Sequence, residues 1–146
     1  PCQNWLVSKF VFDVVPVAAP RMTQADRWKR RPCVVRYFAY RDQVRALAEE
    51  QSFTLPDQFS VQFYLAMPRS WSKRKQQDHD GKPHKAKPDA DNLLKGWMDC
   101  FGEDCAVWNV SASKFWSSSP CVLLDVPAPS HASQSATAAP AFLAGY

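Results

Sequence analysis

Between Trp5 and Val15 the chain alternates: Leu6, Phe10, Phe12 and Val14 fall on one side, interrupted by Ser8, and Val7, Lys9, Val11 and Asp13 on the other. A period of two predicts a half-buried strand, which Pro16 and Pro20 bring to an end. From Arg36 to Gln51 the period changes: Tyr37, Tyr40, Val44, Leu47 and Ala48 recur at spacings of three and four, which predicts a helix. Beyond Pro56, the residues Phe59, Val61, Phe63, Leu65 and Met67 make one apolar face, and Phe59 to Met67 is the second strand. Pro68 to Pro88 has no periodicity and three prolines, and is expected to be a long mobile loop. Leu94, Trp97, Met98 and Phe101 then share a stripe, predicting a helix from Asp91 to about Phe101 that Gly102 ends. Val107 to Trp116 and Cys121 to Val126 read as two further strands joined at Ser117–Pro120. The order is β-α-β-loop-α-β-β with no internal repeat. It predicts one α+β domain over residues 1–126, a mixed sheet with two helices. The Pro/Ala/Ser-rich stretch 127–146 is expected to be a disordered tail.

Composition changes this picture little, and charge changes it more. The 146 residues suit a single core, and 46% hydrophobic with 22% charged residues is ordinary globular content. Formal net charge is +4. It is segregated, however. Arg21, Arg27, Lys29, Arg30 and Arg31 face only Asp26 in the first loop, a net +4. Arg69, Lys73, Arg74, Lys75, Lys82, Lys85 and Lys87 face only Asp78 and Asp80 in the second, a net +5, so the remainder nets −5. Two basic loops on a more acidic body point to a polyanionic partner, nucleic acid above all; the competing reading is two solvated loops of no special purpose. Five cysteines without a CxxC pair do not suit structural zinc and are expected to be reduced, packed thiols. No apolar run approaches the roughly 20 residues of a membrane span. No signal-like segment opens the chain, which begins at Pro1 rather than methionine, so its true start is expected to lie upstream. A cytoplasmic protein is expected.

The chemistry concentrates in KPDADNLLKGWMDCFGEDCAVW, Lys87 to Trp108. Asp91 stands where a helix N-cap belongs, and Lys95 is one turn on, within reach of an i,i+4 pair. Capping leaves Asp89 unexplained. If Lys87 to Asp91 is extended, Asp89 and Asp91 point the same way and repel unless a cation lies between them. Magnesium, which binds through one or two carboxylates plus water and phosphate oxygens, suits that pair. Lys95 then reaches a phosphate or a leaving group, and Glu103 and Asp104 supply a possible further ligand. Carboxylates beside basic loops fit metal-dependent phosphodiester cleavage.

These segments resemble the RusA family of Holliday junction resolvases, small phage- and prophage-associated endonucleases. The resemblance rests on APRMTQADRW (Ala19–Trp28), RPCVVRYFAYRD (Arg31–Asp42), MPRSWSKRK (Met67–Lys75), GKPHKAKPDADNLLKGWMD (Gly81–Asp99) and EDCAVWNVSASKFW (Glu103–Trp116), nearly everything from Trp5 to Val126. It implies that Asp89 and Asp91 are the paired catalytic aspartates, Asp104 the third and Lys95 the essential lysine, with all three aspartates as metal ligands. It further implies magnesium (with manganese as a substitute), a homodimer, symmetric nicking of a four-way junction, and a bacterial or phage-encoded protein. A helix from Asp91 to Phe101 is about 15 Å long. To bring Asp104 to Asp89, the helix must end early, the chain must double back through Gly102, or a dimer partner must contribute.

Trp71 with Lys73, Arg74 and Lys75, and Trp28 with Lys29, Arg30 and Arg31, interleave cations with an aromatic as single-strand and backbone binders do. With Arg21, Arg69, Lys85 and Lys87 they are expected to hold DNA by its phosphates, without reading bases. Lys114 approaches the same backbone or sits on a solvated face. His79 and His84 are expected to be bystanders to the chemistry, and Asp78 and Asp80, which repeat the DxD spacing without helical or apolar support, to relieve charge within the lysine-rich loop. No Ser/His/Asp set and no phosphate-cradling GxxxxGK[ST] loop occurs, so no nucleotide cofactor is expected. A non-catalytic binder of branched DNA and a metal nuclease for another structured nucleic acid are the competing readings.

Overall fold

The computed structural model describes residues 7–27 and 29–127. Trp5 and Leu6 of the first expected strand, Trp28, and the expected tail beyond Pro127 lie outside them. Four strands form one mixed sheet: β1 (Val7–Phe12), β2 (Gln58–Ala66), β3 (Asn109–Ser117) and β4 (Cys121–Pro127), in spatial order β1-β4-β2-β3. The pairs β1–β4 and β4–β2 are antiparallel, and β2–β3 is parallel. Antiparallel neighbours need only tight turns, but the parallel pair needs a crossover. Residues 67–108 supply it.

Among the described residues three α-helices occur, α1 (Pro32–Glu50), α2 (Lys73–His79) and α3 (Ala90–Met98), where the periodicity predicts two. In α1, Val34, Tyr37, Tyr40, Val44 and Ala48 are buried. It starts one turn earlier than the apolar spacing indicates, because Pro32 is preorganised for a helix's first turn and has no N–H to leave unpaired. Phe59, Val61, Phe63 and Leu65 of β2 alternate into the core as expected, joined by Val122 and Leu124 of β4. Leu93 and Trp97 of α3 close the core from the helical side, with Trp97 edge-on to Phe12 at 4.7 Å and to Phe101 at 5.0 Å. The architecture is thus two layers, with α1 and α3 on one face of the sheet.

The expected mobile loop is neither structureless nor loose. Its first half folds as α2: Ser72 Oγ accepts the Lys75 N–H at 3.2 Å, an N-cap. Just before it, Trp71 carries the Lys75 ammonium on its ring (4.4 Å) and packs on His79 and Trp116, each at 4.8 Å. No residue of α2 is buried. A helix fastened by a residue outside itself shows no apolar stripe, which is why periodicity misses it. Among the described cysteines only Cys100 is buried; Cys33 and Cys105 are exposed, so the expectation of packed thiols fails for them.

Candidate active site

The site is built from the edge of the sheet. β3 is a terminal strand, and an open strand edge presents unpaired N–H and C=O groups. Residues 81–84 run antiparallel along its second half. Gly81 N–H donates to Trp116 O (2.7 Å), Trp116 N–H to Lys82 O (2.9 Å) and His84 N–H to Lys114 O (3.0 Å). Gly81 takes φ +81°, a conformation glycine adopts freely. The His84 ring lies buried against Trp116, 3.9 Å between centroids, and its Nδ1 accepts the Ala86 N–H at 3.4 Å. Burial, and then the Lys114 charge, push its pKa below the usual histidine value. His84 is therefore a neutral fixture of this segment rather than a bystander.

Residues 85–88 lead from that edge to α3. The Lys114 ammonium donates to Ala86 O and, at 2.7 Å, to Pro88 O. Asp89 follows in extended conformation as the N-cap residue of α3, and Asp91 sits in the helix's first turn. The expected cap at Asp91 is thus two residues too late, since extended backbone ends at Asp89 and not at Asp91. The Asp89 side chain makes no capping bond, its backbone C=O accepts Leu93 N–H at 3.1 Å, and both carboxylates are exposed. Leu93 and Trp97, fully buried, fix the helix beneath them. Asn92 O accepts Ala19 N–H at 3.1 Å, and a methyl at Gly96 would stand 2.8 Å from Val17 O. On its far side Gly96 O accepts the Tyr37 hydroxyl at 3.0 Å.

Lys95 projects one turn beyond Asp91, exposed, and pairs with Asp99 at 3.4 Å rather than with Asp91. Asp104 is placed differently. The α-helix does end early, at Met98, and tightens into a 3-10 turn (Asp99–Phe101) before Gly102 turns the chain at φ +81°. Asp104 follows, its carbonyl accepting Val107 N–H at 3.1 Å, ahead of Asn109 where β3 begins. From Asn109 to Lys114, which touches the residue before Asp89, is about 16 Å along a strand. Among the described residues no three or more His, Cys, Asp or Glu side chains gather to hold a metal ion. Within one chain, then, Asp89 and Asp91 share a helix start and Asp104 does not join them.

Cationic side chains flank the pair. A cleft of about 400 Å³, lined by Trp71, Lys75, His79, Lys82, Lys85 and Trp116 among others, reaches Ala86. A second, of about 450 Å³, runs along Val15–Pro20 to Arg36 and Pro88. Lys73, Arg74, Lys87, Arg69, Arg21, Lys29 and Arg30 are exposed. Lys82 and Arg36 were not singled out by the sequence, because one sits among many lysines and the other opens an apparently solvated helix face. Arg31 is committed elsewhere: its guanidinium binds Asp26 through two bonds (2.6 and 2.7 Å) and Arg21 O at 2.7 Å. That pairing, then the Thr23 N–H, holds the Asp26 carboxyl far below the usual range. Asp80 accepts the Ser118 N–H at 3.1 Å, tying the end of α2 to the β3–β4 turn. No helix is long and apolar enough to cross a membrane among the described residues.

A protein-family model described as endodeoxyribonuclease RusA matches residues 13–126, every element after β1. No curated protein matches the chain.

Proposed function

The chain belongs to the RusA endodeoxyribonuclease family, and from that premise we propose that it is a magnesium-dependent enzyme that resolves four-way DNA junctions by paired nicks. The observation that carries this reading is the pair Asp89 and Asp91, exposed and without a capping bond, at a helix start between a lysine-lined cleft and a largely apolar one that carries Arg36. A cap that capped nothing would be an idle use of Asp89, and two free carboxylates two residues apart suit a hard cation that completes its shell with water and phosphate oxygens. Asp89 and Asp91 would hold magnesium (manganese can substitute), and the ion would lower the pKa of a bound water and neutralise phosphate charge.

The protein's own groups do the rest. Lys95, on the same helical face one turn on, is free to exchange its exposed partner Asp99 for a scissile phosphate or leaving oxygen. Lys73, Arg74, Lys75, Lys82 and Lys85 on one side and Arg36, Arg21, Lys29 and Arg30 on the other hold the backbone of the arms. A junction has two equivalent cleavage points, which a two-fold dimer addresses together. Such a dimer also gives Asp104 a role: separated from its own chain's pair, it serves as third ligand to the partner's. Recombination, repair or phage genome processing in a bacterial cytoplasm would use this activity.

The test incubates a labelled four-way junction with the protein, in magnesium or EDTA, beside Asp91→Asn and a matched linear duplex. Paired nicks on the junction alone, dependent on magnesium and absent with the variant, are expected. A junction bound but uncut at every magnesium concentration makes the protein a binder of branched DNA. Preferential cutting of a flap or RNA moves the substrate and keeps the chemistry.

A further inference from the structure

Among the described residues, Lys114 is the one strand cation that points inward. In the parallel register it stands beside Phe63, and its neighbour two positions on, Trp116, stands beside Leu65. Phe63 and Leu65 are buried on the helical side, and residues paired across a ladder share a face, so Lys114 faces α3 and not the open side of the sheet. Half-buried there, it pairs with no carboxylate among the described residues. Its donors go to Ala86 O and Pro88 O, and its own backbone C=O takes His84 N–H. One residue thus holds the strand-like segment before residue 85 and two carbonyls of the stretch after it. Pro88, with no N–H to donate, has no other hydrogen-bonding handle, and Asp89 is the next residue.

We propose that Lys114 is a positioning residue: by clamping the Ala86 and Pro88 carbonyls it sets the direction in which Asp89 and Asp91 leave the sheet edge and present their carboxylates as a pair. This rests on the reading of that pair given above. It departs from the expectation that Lys114 binds DNA, since an ammonium already spent on two carbonyls in a half-buried setting has little left for a phosphate. The two roles separate cleanly. A phosphate-binding lysine contributes to affinity without any metal, and its loss lowers the salt dependence of binding by about one counterion. A positioning lysine affects the metal and the rate, and leaves metal-free binding alone.

The experiment compares wild type, Lys114→Arg and Lys114→Met by three measurements. Junction affinity is taken in EDTA over a salt series, Mn²⁺ binding by the EPR signal of the free ion, and cleavage rate at saturating junction over a magnesium series. For Lys114→Met we expect EDTA affinity within twofold of wild type and an unchanged salt slope. Mn²⁺ affinity falls at least fivefold, and cleavage falls at least tenfold with a higher magnesium requirement. Lys114→Arg, whose rigid fork donates to both carbonyls with altered geometry, falls between, and it carries the test if the methionine variant does not fold. Loss of EDTA affinity with a shallower salt slope makes Lys114 a phosphate contact and overturns the proposal. So do Mn²⁺ binding and cleavage equal to wild type in both variants. Should wild type bind Mn²⁺ without cutting a junction, the substrate reading fails while the Mn²⁺ comparison still decides the role of Lys114. If wild type binds no Mn²⁺ at all, the reading of the pair fails and this proposal with it.

Discussion

At the scale of single residues, Asp89 and Asp91 differ from ordinary helix-start aspartates in having nothing to do for the fold. A working N-cap is worth about 1 kcal/mol, but neither carboxylate makes such a bond. Asp91→Asn is therefore expected to leave thermal stability within about 0.5 kcal/mol of wild type. Cleavage should fall by at least about 100-fold, since even outer partners of metal ligands cost 10–100-fold. Melting curves beside single-turnover rates check this; an equal loss in both would make Asp91 a structural cap. His84 gives a second expectation. Its folded pKa lies below its unfolded value of about 6.5, so the folded state prefers the neutral ring. The stability this contributes is complete above about pH 6.5 and drains away as pH falls below it through the folded value. Protonation also sets a second cation beside Lys114. Corrected for the intrinsic slowing of exchange in acid, the protection of the amides between Gly81 and Lys87 should fall between pH 7 and pH 5, and His84→Asn should flatten that dependence. Asp26 contributes in a separate window: its carboxyl is depressed, so its support is intact above about pH 4 and disappears only in stronger acid.

At the scale of elements, α3 is held from both sides, and Gly96 marks the tightest approach. A helix-interior glycine normally gains about 1 kcal/mol on becoming alanine. Here the added methyl meets backbone, Val17 O at 2.8 Å and Ala19 N at 2.9 Å, which no side-chain rotation relieves. Gly96→Ala should destabilise by about 1–3 kcal/mol, as overpacked cores do, read from denaturant midpoints. The helices also show what hydrophobic spacing reveals. β2 was legible to within one residue at each end because all of its inward positions are apolar. α3 was legible through Leu94, Trp97, Met98 and Phe101, although Leu93 is the leucine that is fully buried, and its cap slipped by two residues because either aspartate fits an N-cap by type. α2 was illegible: its sequence KRKQQDH has no apolar position, and the residue that fastens it, Trp71, lies outside it. Ser72 was the one local signal. Ser72→Ala should cost about 1 kcal/mol of α2 stability and weaken junction binding through the displaced Lys73–Lys75 cluster, measured by circular dichroism and by titration.

At the scale of the whole molecule, the separation of Asp104 from the pair was partly legible, since helix length alone warned of it. Which way the chain would go after Gly102 was not, because a single positive-φ residue reverses direction without any apolar pattern. If the partner chain supplies Asp104, inactive Asp91→Asn and Asp104→Asn proteins should complement each other. A mixed dimer holds one complete site, built from Asp89 and Asp91 of one copy and Asp104 of the other. Mixing the two and allowing exchange should restore single nicks to a junction, whereas a same-chain role leaves the mixture inert. Gel analysis of the nicked products distinguishes the outcomes.

The strip of residues 81–84 along β3 has a consequence of another kind. It leads to Asp89, and it also occupies hydrogen-bonding groups that another chain's strand would otherwise find. With Asp89 in the role proposed for it, solubility and activity would depend on the same few backbone bonds. A change that frees this strip, whether acid at His84 or the loss of Lys114, leaves half of a terminal strand available for pairing between molecules. Concentrated stocks of such a variant should then turn turbid at temperatures where dilute samples still give a folded spectrum, with sticking between molecules preceding any unfolding within one.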